Sequence, residues 1–346
     1  MDRGIYSPYK AVKFQGRIRA LMRHNMIPPT QIQIDLTSRC NHECGHCYYR
    51  FYNVNGDFPV ERVYRLLNEI ESLGVVVQFT GGGEPLLYPE FYNVIEKVIE
   101  KKIGFALVTN GVLADIDKID LLTKADWIRV SLDAANPVVY ANVHGCEDGD
   151  FYKAQSFLHR LVNKKAESQT IVGVSFMVTP SNFSQIVEAT KLARDIGVDN
   201  IRITLAYLSA GIKLFSGVLS QIEELVKQAQ EMKTETFDVI NLVPYAMTNL
   251  QMHDKGYAHC YYQQFTAVIG ADMELYPCCT LKYSEHKMGN LADNSFDKVW
   301  HSDARKAWLK SDHLRSVCQK NPCGMDKKNT FIEYLAMKNP LCVDYI

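Results

Sequence analysis

The sequence predicts an α/β fold: a partial (β/α)6, TIM-like barrel, followed by a small cysteine-rich subdomain containing a β-hairpin and a helix. Three observations carry this. Short apolar or alternating runs recur between residues 31 and 206, each followed by a helix-length amphipathic stretch. Such alternation needs crossover connections, and therefore parallel strands. The six units are fewer than the eight of a closed barrel, which leaves a partial barrel or an open curved sheet. Beyond about residue 255 the pattern changes, as apolar core residues thin out and cysteines accumulate.

Residues 31–36 (QIQIDL) alternate polar and apolar, the period of a half-buried strand. After a cysteine-bearing loop, a helix opens at Pro59 and places Val63, Leu66, Leu67 and Ile70 on one face, with Gly74 just past its end. The run 75–79 (VVVQF) reads as a buried strand, and Gly81, Gly82 and Gly83 follow it. Helix 89–102 leads to strand 105–109, helix 115–124 to strand 127–132, helix 150–164 to strand 171–178, and helix 183–195 to strand 200–206. A helix over 219–233 and a strand at 237–243 extend or bridge this set. Segments 265–269 and 274–277 form a hairpin around Gly270-Ala271-Asp272, and a helix over 295–310 follows. The expected divisions are an N-terminal extension over 1–30, the barrel over 31–235 and a cysteine-rich region over 236–346. A metal centre is the economical way to hold a tail with so little apolar core.

Composition narrows the function. The 346 residues carry 38 basic and 39 acidic side chains, so nothing in the charge favours nucleic acid or an anionic membrane as partner. No apolar run approaches a membrane span, and the opening MDRGIYSPYK lacks the apolar core of a secretory signal. A soluble, cytoplasmic protein is expected. Its ten cysteines are too sparse for a disulfide scaffold, and in a reducing compartment clustered thiols bind metal more often than each other.

Three of them stand together in Cys40-Asn41-His42-Glu43-Cys44-Gly45-His46-Cys47. Three thiolates on one tight loop can ligate three corners of a [4Fe–4S] cluster, leaving one iron open to a small molecule. A zinc knuckle completed by His42 or His46 is the alternative, although structural zinc usually adds a distant second pair.

The C-x3-C-x2-C loop after a first strand resembles the signature of the radical S-adenosylmethionine (SAM) enzymes. The resemblance continues through Gly81-Gly82-Gly83-Glu84-Pro85, similar to that family's GGE motif, through Thr109-Asn110-Gly111 and through Ser131-Leu132-Asp133. His46 stands where the family usually has an aromatic residue. Singly these segments have plainer readings: a tight turn, a carboxylate at a helix start, or N-caps at Ser131 and Asp133. Together they follow successive strands at their carboxyl ends, the edge where parallel α/β folds bind ligands. The resemblance implies that Cys40, Cys44 and Cys47 hold a [4Fe–4S] cluster. It also implies that His46, Gly81, Gly82, Gly83, Glu84, Asn110, Ser131 and Asp133 contact SAM, which is cleaved reductively to a 5′-deoxyadenosyl radical.

A second set comprises Cys260, Cys278, Cys318 and Cys323. It looks like the SPASM or "twitch" extension of radical SAM enzymes, which holds auxiliary iron–sulfur clusters. Its first spacing is similar to that of the twitch-type aminocyclitol dehydrogenases, its last is wider, and Met273 stands where the family usually has glycine. Four cysteines suit one fully ligated auxiliary [4Fe–4S] cluster, or structural zinc. Cys279 could replace Cys278, Cys342 could serve as a remote ligand, and Cys146 reads as a buried thiol.

The leading functional expectation is an oxidoreductase that takes a hydrogen from a sugar or cyclitol alcohol in natural-product biosynthesis and passes the second electron to the auxiliary cluster. An external one-electron donor such as flavodoxin or ferredoxin is required. Arg202, on the sixth strand, is the candidate for orienting the small-molecule substrate or the SAM carboxylate, or else an exposed strand-end arginine. His144, Tyr207 and Tyr262 could also approach the barrel mouth. Peptide epimerisation or crosslinking is the alternative, with Cys146 or Cys279 as hydrogen donor, although about thirty residues before the first strand are few for a leader-binding domain. Radical decarboxylation or dehydration of a nucleoside or sugar, RNA modification, and a zinc-binding interaction module complete the set.

Overall fold

The computed structural model describes residues 13–336, apart from 25, 51, 53, 55, 166–167, 209, 252–254 and 322. Cys342 lies outside them. In chain order the elements are α1 Gln15–His24, β1 Gln31–Ile34, α2 Val60–Ile70, β2 Val76–Phe79, α3 Phe91–Glu100, β3 Phe105–Thr109, α4 Ile119–Leu122, β4 Trp127–Ser131, α5 Pro137–His144, α6 Asp148–Lys164 and β5 Ile171–Val178. They continue with α7 Ile186–Ile196, β6 Asn200–Leu205, α8 Leu219–Gln230, β7 Asp238–Asn241, α9 Val243–Leu250, β8 Thr266–Ile269, β9 Glu274–Tyr276, β10 Gly289–Asn290, α10 Phe296–Trp300, α11 Asp303–Lys310, α12 His313–Ser316 and α13 Asp326–Ala336.

Strands β1 to β7 lie side by side in sequence order and are all parallel. Alternate residues divide two environments. Ile32, Val77, Leu107, Val130, Val174 and Ile203 are buried in one apolar core with the crossover helices. Gln33, Gln78, Arg129, Ser175, Arg202 and Thr204 occupy the other, inner face, which gives the partial barrel a polar interior. On α2 the expected four residues are the buried ones, and Gly74 takes the left-handed conformation (φ 61°) that ends the following turn.

The hairpin β8–β9 is antiparallel, yet β8 runs parallel to β1 with Gln31 opposite Thr266 and Ile34 opposite Ile269. The cysteine-rich region therefore continues the barrel's own sheet past its first strand. At the other edge, β7 is a further parallel strand beside β6. The helix expected over 295–310 is two, α10 and α11, because the Ser302 side chain caps a new start by accepting from Arg305 N. A small second core of Ile18, Leu21, Ile27, Phe265 and Ile332 packs α1 and α13 beside β8. The buried Arg305 guanidinium, 3.5 Å from the Trp300 ring centroid, bonds Trp300 O and Gln263 O and fastens α11 to this region.

Candidate active site

The cysteine loop starts where β1 ends and hangs on the end of α5: Glu43 N donates to His144 O (2.9 Å) and Gly45 N to Val143 O (3.3 Å). A turn from Cys47 N to Cys44 O (3.1 Å) brings the later two cysteines together. The sulfurs stand close enough that Cys47 disfavours ionisation of Cys40, and Cys40 and Cys47 that of Cys44. Desolvation of the sulfurs, with the charge of Glu84 and then Cys47, pushes Cys40 up to about 11, and desolvation with the charges of Asp133, Cys40 and Cys47 pushes Cys44 higher still. Neighbouring thiols whose ionisation is disfavoured are a donor set that suits a cation, and a bound cluster would reverse the penalty.

The glycine turn after β2 locks onto this loop. Gly83 N donates to Thr37 O (3.1 Å) and Glu84 N to Arg39 O (2.8 Å). A Cβ on Gly83 would lie 2.0 Å from Arg39 O, and one on Gly82 2.3 Å from Tyr283 Oη. The glycines are thus required by the loop and by Tyr283 packing against them, a reason the sequence did not reveal.

Glu84 is 3% exposed. Its Oε1 accepts from Thr109 Oγ1 (2.5 Å) and Leu86 N (3.1 Å), and its Oε2 from Asn110 N (2.8 Å). Among the described residues no Lys, Arg or His pairs with it. Burial pushes its pKa above the ordinary carboxylate value, with these donors opposing. An ammonium group is the partner such a carboxylate lacks. Asn110 Nδ2 meanwhile donates to Asn41 Oδ1 (2.9 Å), joining the end of β3 to the cysteine loop.

Asp133 turns inward. Its Oδ1 accepts from Met177 N (2.6 Å), and its Oδ2 lies 3.1 Å from His144 Nε2 and 3.4 Å from His46 Nε2. Burial would raise it, but the hydrogen bonds and charges of His144 and His46 outweigh burial and hold it far below the usual carboxylate range. His144 is buried beneath the cysteine loop, not at the mouth, with Nδ1 3.5 Å from Cys44 Sγ and 3.3 Å from His42 Nδ1. His42 continues the chain to Asp150 Oδ2 (3.2 Å), beside the half-buried Cys146. Ser131 is half-buried at the end of β4, in register with Ser175.

Cys260, Cys278, Cys318 and Cys323 also converge. All four are unpaired, burial pushes all four up, and Cys260, Cys278 and Cys323 are raised further by neighbouring sulfurs of the set. Cys279 adds to the charge around Cys278. Helix α13 holds the Cys260 segment: Asn329 accepts from Tyr262 N (3.0 Å) and donates to His259 O (2.7 Å), while Glu333 accepts from Ala258 N and His259 N. Met273 takes φ 63°, the left-handed conformation that the family's glycine at this place adopts freely.

Five residues the sequence left unremarked bind the two cysteine regions together. The Lys282 ammonium lies 2.5 Å from Asp35 Oδ2, both fully buried, and donates to Gly81 O (2.6 Å). Tyr283 Oη donates to the same Asp35 oxygen (2.8 Å). Tyr48 and Tyr49, next to Cys47, donate to Thr280 O and Cys279 O (3.0 Å each). Asp35 falls on the polar phase of the alternating run 31–36, with Gln31 and Gln33, so its position in the sequence gave no signal of this role.

Arg202 is half-buried, its guanidinium donating to Ser175 Oγ (2.7 Å). It lines a cavity of about 750 Å³ with Met177, Thr204, Tyr207, Tyr245 and Gly324. One wall is the inner face of β5–β7, and the other is the segment directly after Cys323. Tyr207 accepts from Asn249 Nδ2 (3.1 Å) there, whereas Tyr262 is absent from the lining.

A parallel partial barrel with three thiols and a cation-seeking carboxylate at its strand ends, and four further thiols in its tail, defines an iron–sulfur enzyme of the SAM-cleaving class. The chain belongs to the radical SAM superfamily, whose family model matches residues 34–213, and a SPASM iron–sulfur cluster-binding domain matches 260–324. Its cofactors are SAM, the [4Fe–4S] cluster that binds it, and auxiliary iron–sulfur in the SPASM region. The thiol sets and the orphaned Glu84 carboxylate fit these groups. The chain is similar to the subtilosin biosynthesis protein AlbA of Bacillus subtilis, with 23% identity over 85% of this chain. It spans 65% of that relative's length. It is also similar to the mycofactocin maturase MftC of Mycobacterium ulcerans, with 25% identity over 89% of this chain and 84% of that one. Streptococcus suis SuiB, solved with its precursor peptide SuiA, shares the fold (TM-score 0.67, 17% identity, 98% of this chain and 81% of that one). No helix of the described residues is long and apolar enough to cross a membrane.

Proposed function

We propose that this radical SAM enzyme modifies a peptide, by a net oxidation such as crosslinking or by epimerisation. Among the readings raised by the sequence, the comparisons support this one better than oxidation of a sugar or cyclitol alcohol. The relatives include a bacteriocin biosynthesis protein and mycofactocin maturases, and a fold neighbour was solved with a precursor peptide. The observation that carries the reading is the cavity between β5–β7 and the segment after Cys323. A chain-like substrate seated there touches the barrel interior and the auxiliary cysteine region at once.

When bound, SAM and its cluster supply radical hydrogen abstraction. In this reading Cys40, Cys44 and Cys47 hold that cluster, and Cys260, Cys278, Cys318 and Cys323 hold the auxiliary one. Glu84 holds the SAM ammonium group, and Asn110, from the end of β3, braces the loop around it. Asp133 and His46 act from beneath, by positioning the loop, since both Asp133 oxygens are engaged within the protein. Arg202, fixed by Ser175, presents a guanidinium to a substrate carbonyl or carboxylate in the cavity. An external one-electron donor, flavodoxin or ferredoxin, completes the system.

The test is 5′-deoxyadenosine release by anaerobically reconstituted enzyme with SAM and reductant. Short peptides encoded beside its gene are compared with aminocyclitols and sugars. Peptide-dependent release with a mass change on the peptide is expected. Release stimulated only by the alcohols would return the reading to alcohol oxidation.

A further inference from the structure

We propose that the cavity between β5–β7 and the segment after Cys323 selects an acidic stretch of the peptide, whose Asp or Glu side chains are met by Lys327, Lys328 and Arg202. The inference rests on the reading of this enzyme as one that modifies a peptide, and it narrows which peptide.

The cavity is unbalanced in charge where the chain is not. The 346 residues carry 38 basic and 39 acidic side chains, so composition alone predicts no local excess. The walls of this cavity of about 750 Å³ nevertheless carry four cationic residues, Arg202, Lys233, Lys327 and Lys328, against one carboxylate, Asp238. Asp238 is taken by Lys233, at 2.6 Å. Asp326, beside Lys327 in the chain, is turned into the protein, where it meets Lys255 (3.3 Å) and accepts from Tyr257 Oη (2.8 Å). Both acids are thus held by other lysines.

Lys327 and Lys328 stand in the first turn of α13, where the helix dipole disfavours cations, so helix stability does not account for them. Packing keeps the pair at the cavity. Tyr245 Oη donates to Gly324 O (2.8 Å) and accepts from Lys327 N (3.3 Å), which pins the turn into α13 against α9. Lys327 Nζ lies 5.0 Å from the Tyr245 ring centroid, and Lys328 Nζ 5.8 Å from that of Tyr262. Aromatic faces steady these ammonium groups without neutralising them. Across the cavity, Ser175 fixes the Arg202 guanidinium on the inner face of the barrel. A segment seated here meets a guanidinium on one wall and two ammonium groups on the other. A cleft lined by one sign of charge concentrates the opposite sign, and a basic segment would be repelled.

The experiment is isothermal titration calorimetry of the full-length, anaerobically reconstituted protein with SAM. The probes are three blocked peptides of equal length, whose variable positions are all Glu, all Gln or all Lys. The Glu peptide should bind about 10-fold more tightly than the Gln peptide, the scale of a few partly screened ion pairs, and the Lys peptide most weakly. Added salt should shrink the difference. Lys327→Glu/Lys328→Glu should reverse the order, and the milder Lys327→Gln/Lys328→Gln should bring the Glu and Gln peptides together. Equal binding of the Glu and Gln peptides by wild type, tighter binding of the Lys peptide, or binding of none of the three overturns the inference, and these outcomes need no variant to fold. A full Glu preference in the Gln double variant overturns it as well. Release of 5′-deoxyadenosine separates the two levels. Peptide-dependent release without a Glu preference sinks this inference alone, whereas release with alcohols only sinks the peptide reading beneath it.

Discussion

Glu84 and His42 show how much one buried group can decide. The Glu84 carboxylate has three donors and no cation among the described residues, which leaves an electrostatic demand that a bound ammonium group suits. Glu84→Gln removes a charge-assisted contact worth about 1.5–3 kcal/mol. Equilibrium dialysis with labelled SAM should show binding about 10- to 100-fold weaker, with iron content unchanged; unaltered affinity would remove Glu84 from the site. His42 carries a pH dependence. Burial, then the charge of His144, lowers it from 6.5 to about 4. The unfolded chain thus takes up a proton at a pH where the folded chain does not. Stability from this residue is full above about pH 6.5 and is lost as the pH falls toward about 4, by at most on the order of 3 kcal/mol. Urea midpoints at about pH 7 and about pH 5 should differ in wild type, and His42→Gln should narrow the difference.

Between elements, the decisive contacts are those that clamp the cysteine loop to the glycine turn and to the segment after Cys278. Gly83→Ala places a methyl group 2.0 Å from Arg39 O, a backbone atom of the loop that carries Cys40. Overpacking of this kind costs about 1–3 kcal/mol. The expected outcome is lower thermal stability together with poorer incorporation of the SAM-binding cluster, read as iron per chain; full incorporation would show the loop free to move. The Lys282–Asp35 pair is fully buried, so Lys282→Met leaves an uncompensated carboxylate at about 3–5 kcal/mol. Adding Asp35→Asn to it should recover much of that loss in denaturant unfolding, whereas additive losses would mean that the pair serves only through packing. These clamps were illegible in the sequence because they join residues some two hundred positions apart. The elements they join were legible wherever period and punctuation agreed: β3 and β5 begin and end where the apolar runs do. Helix α5 was missed because Tyr140, Ala141, Val143 and His144 are buried on several sides, which erases the amphipathic period. Helix α13 has a mostly polar sequence whose few apolar residues face a small second core.

At the scale of the whole molecule, sheet order explains why two distant cysteine sets act as one system. Strand β8 docks on β1, so the hairpin leading to Cys278 and Cys279 arrives beside the loop that leaves β1 toward Cys40. The cysteines were legible as two sets, since spacing alone grouped them, but the continuity of the sheet between them was not. A parallel partner for β1 from beyond residue 260 leaves no local signal in either segment. The C-terminal region shares the main apolar core through Leu275, Met288, Leu291, Phe296, Val299 and Trp300, against the sequence expectation of a tail with little core, and only the segments around the four thiols depend on what those thiols bind. On the proposed reading, in which each thiol set holds a cluster, the two metal contents are independent. After anaerobic reconstitution the wild-type chain should carry about eight irons and matching acid-labile sulfide, given about four in each cluster. The Cys40/Cys44/Cys47→Ala variant should retain about four of them. Replacing Cys260, Cys278, Cys318 and Cys323 should instead strip the auxiliary iron and open the segments around Cys260, Cys318 and Cys323 to proteolysis, while β1–β8 and α10 stay protected by the core they share. A C-terminal region that stayed protease-resistant without its metal would mean that α1, α13 and the buried Arg305 suffice to hold it. The auxiliary cluster's place beside the cavity would then be a matter of chemistry alone.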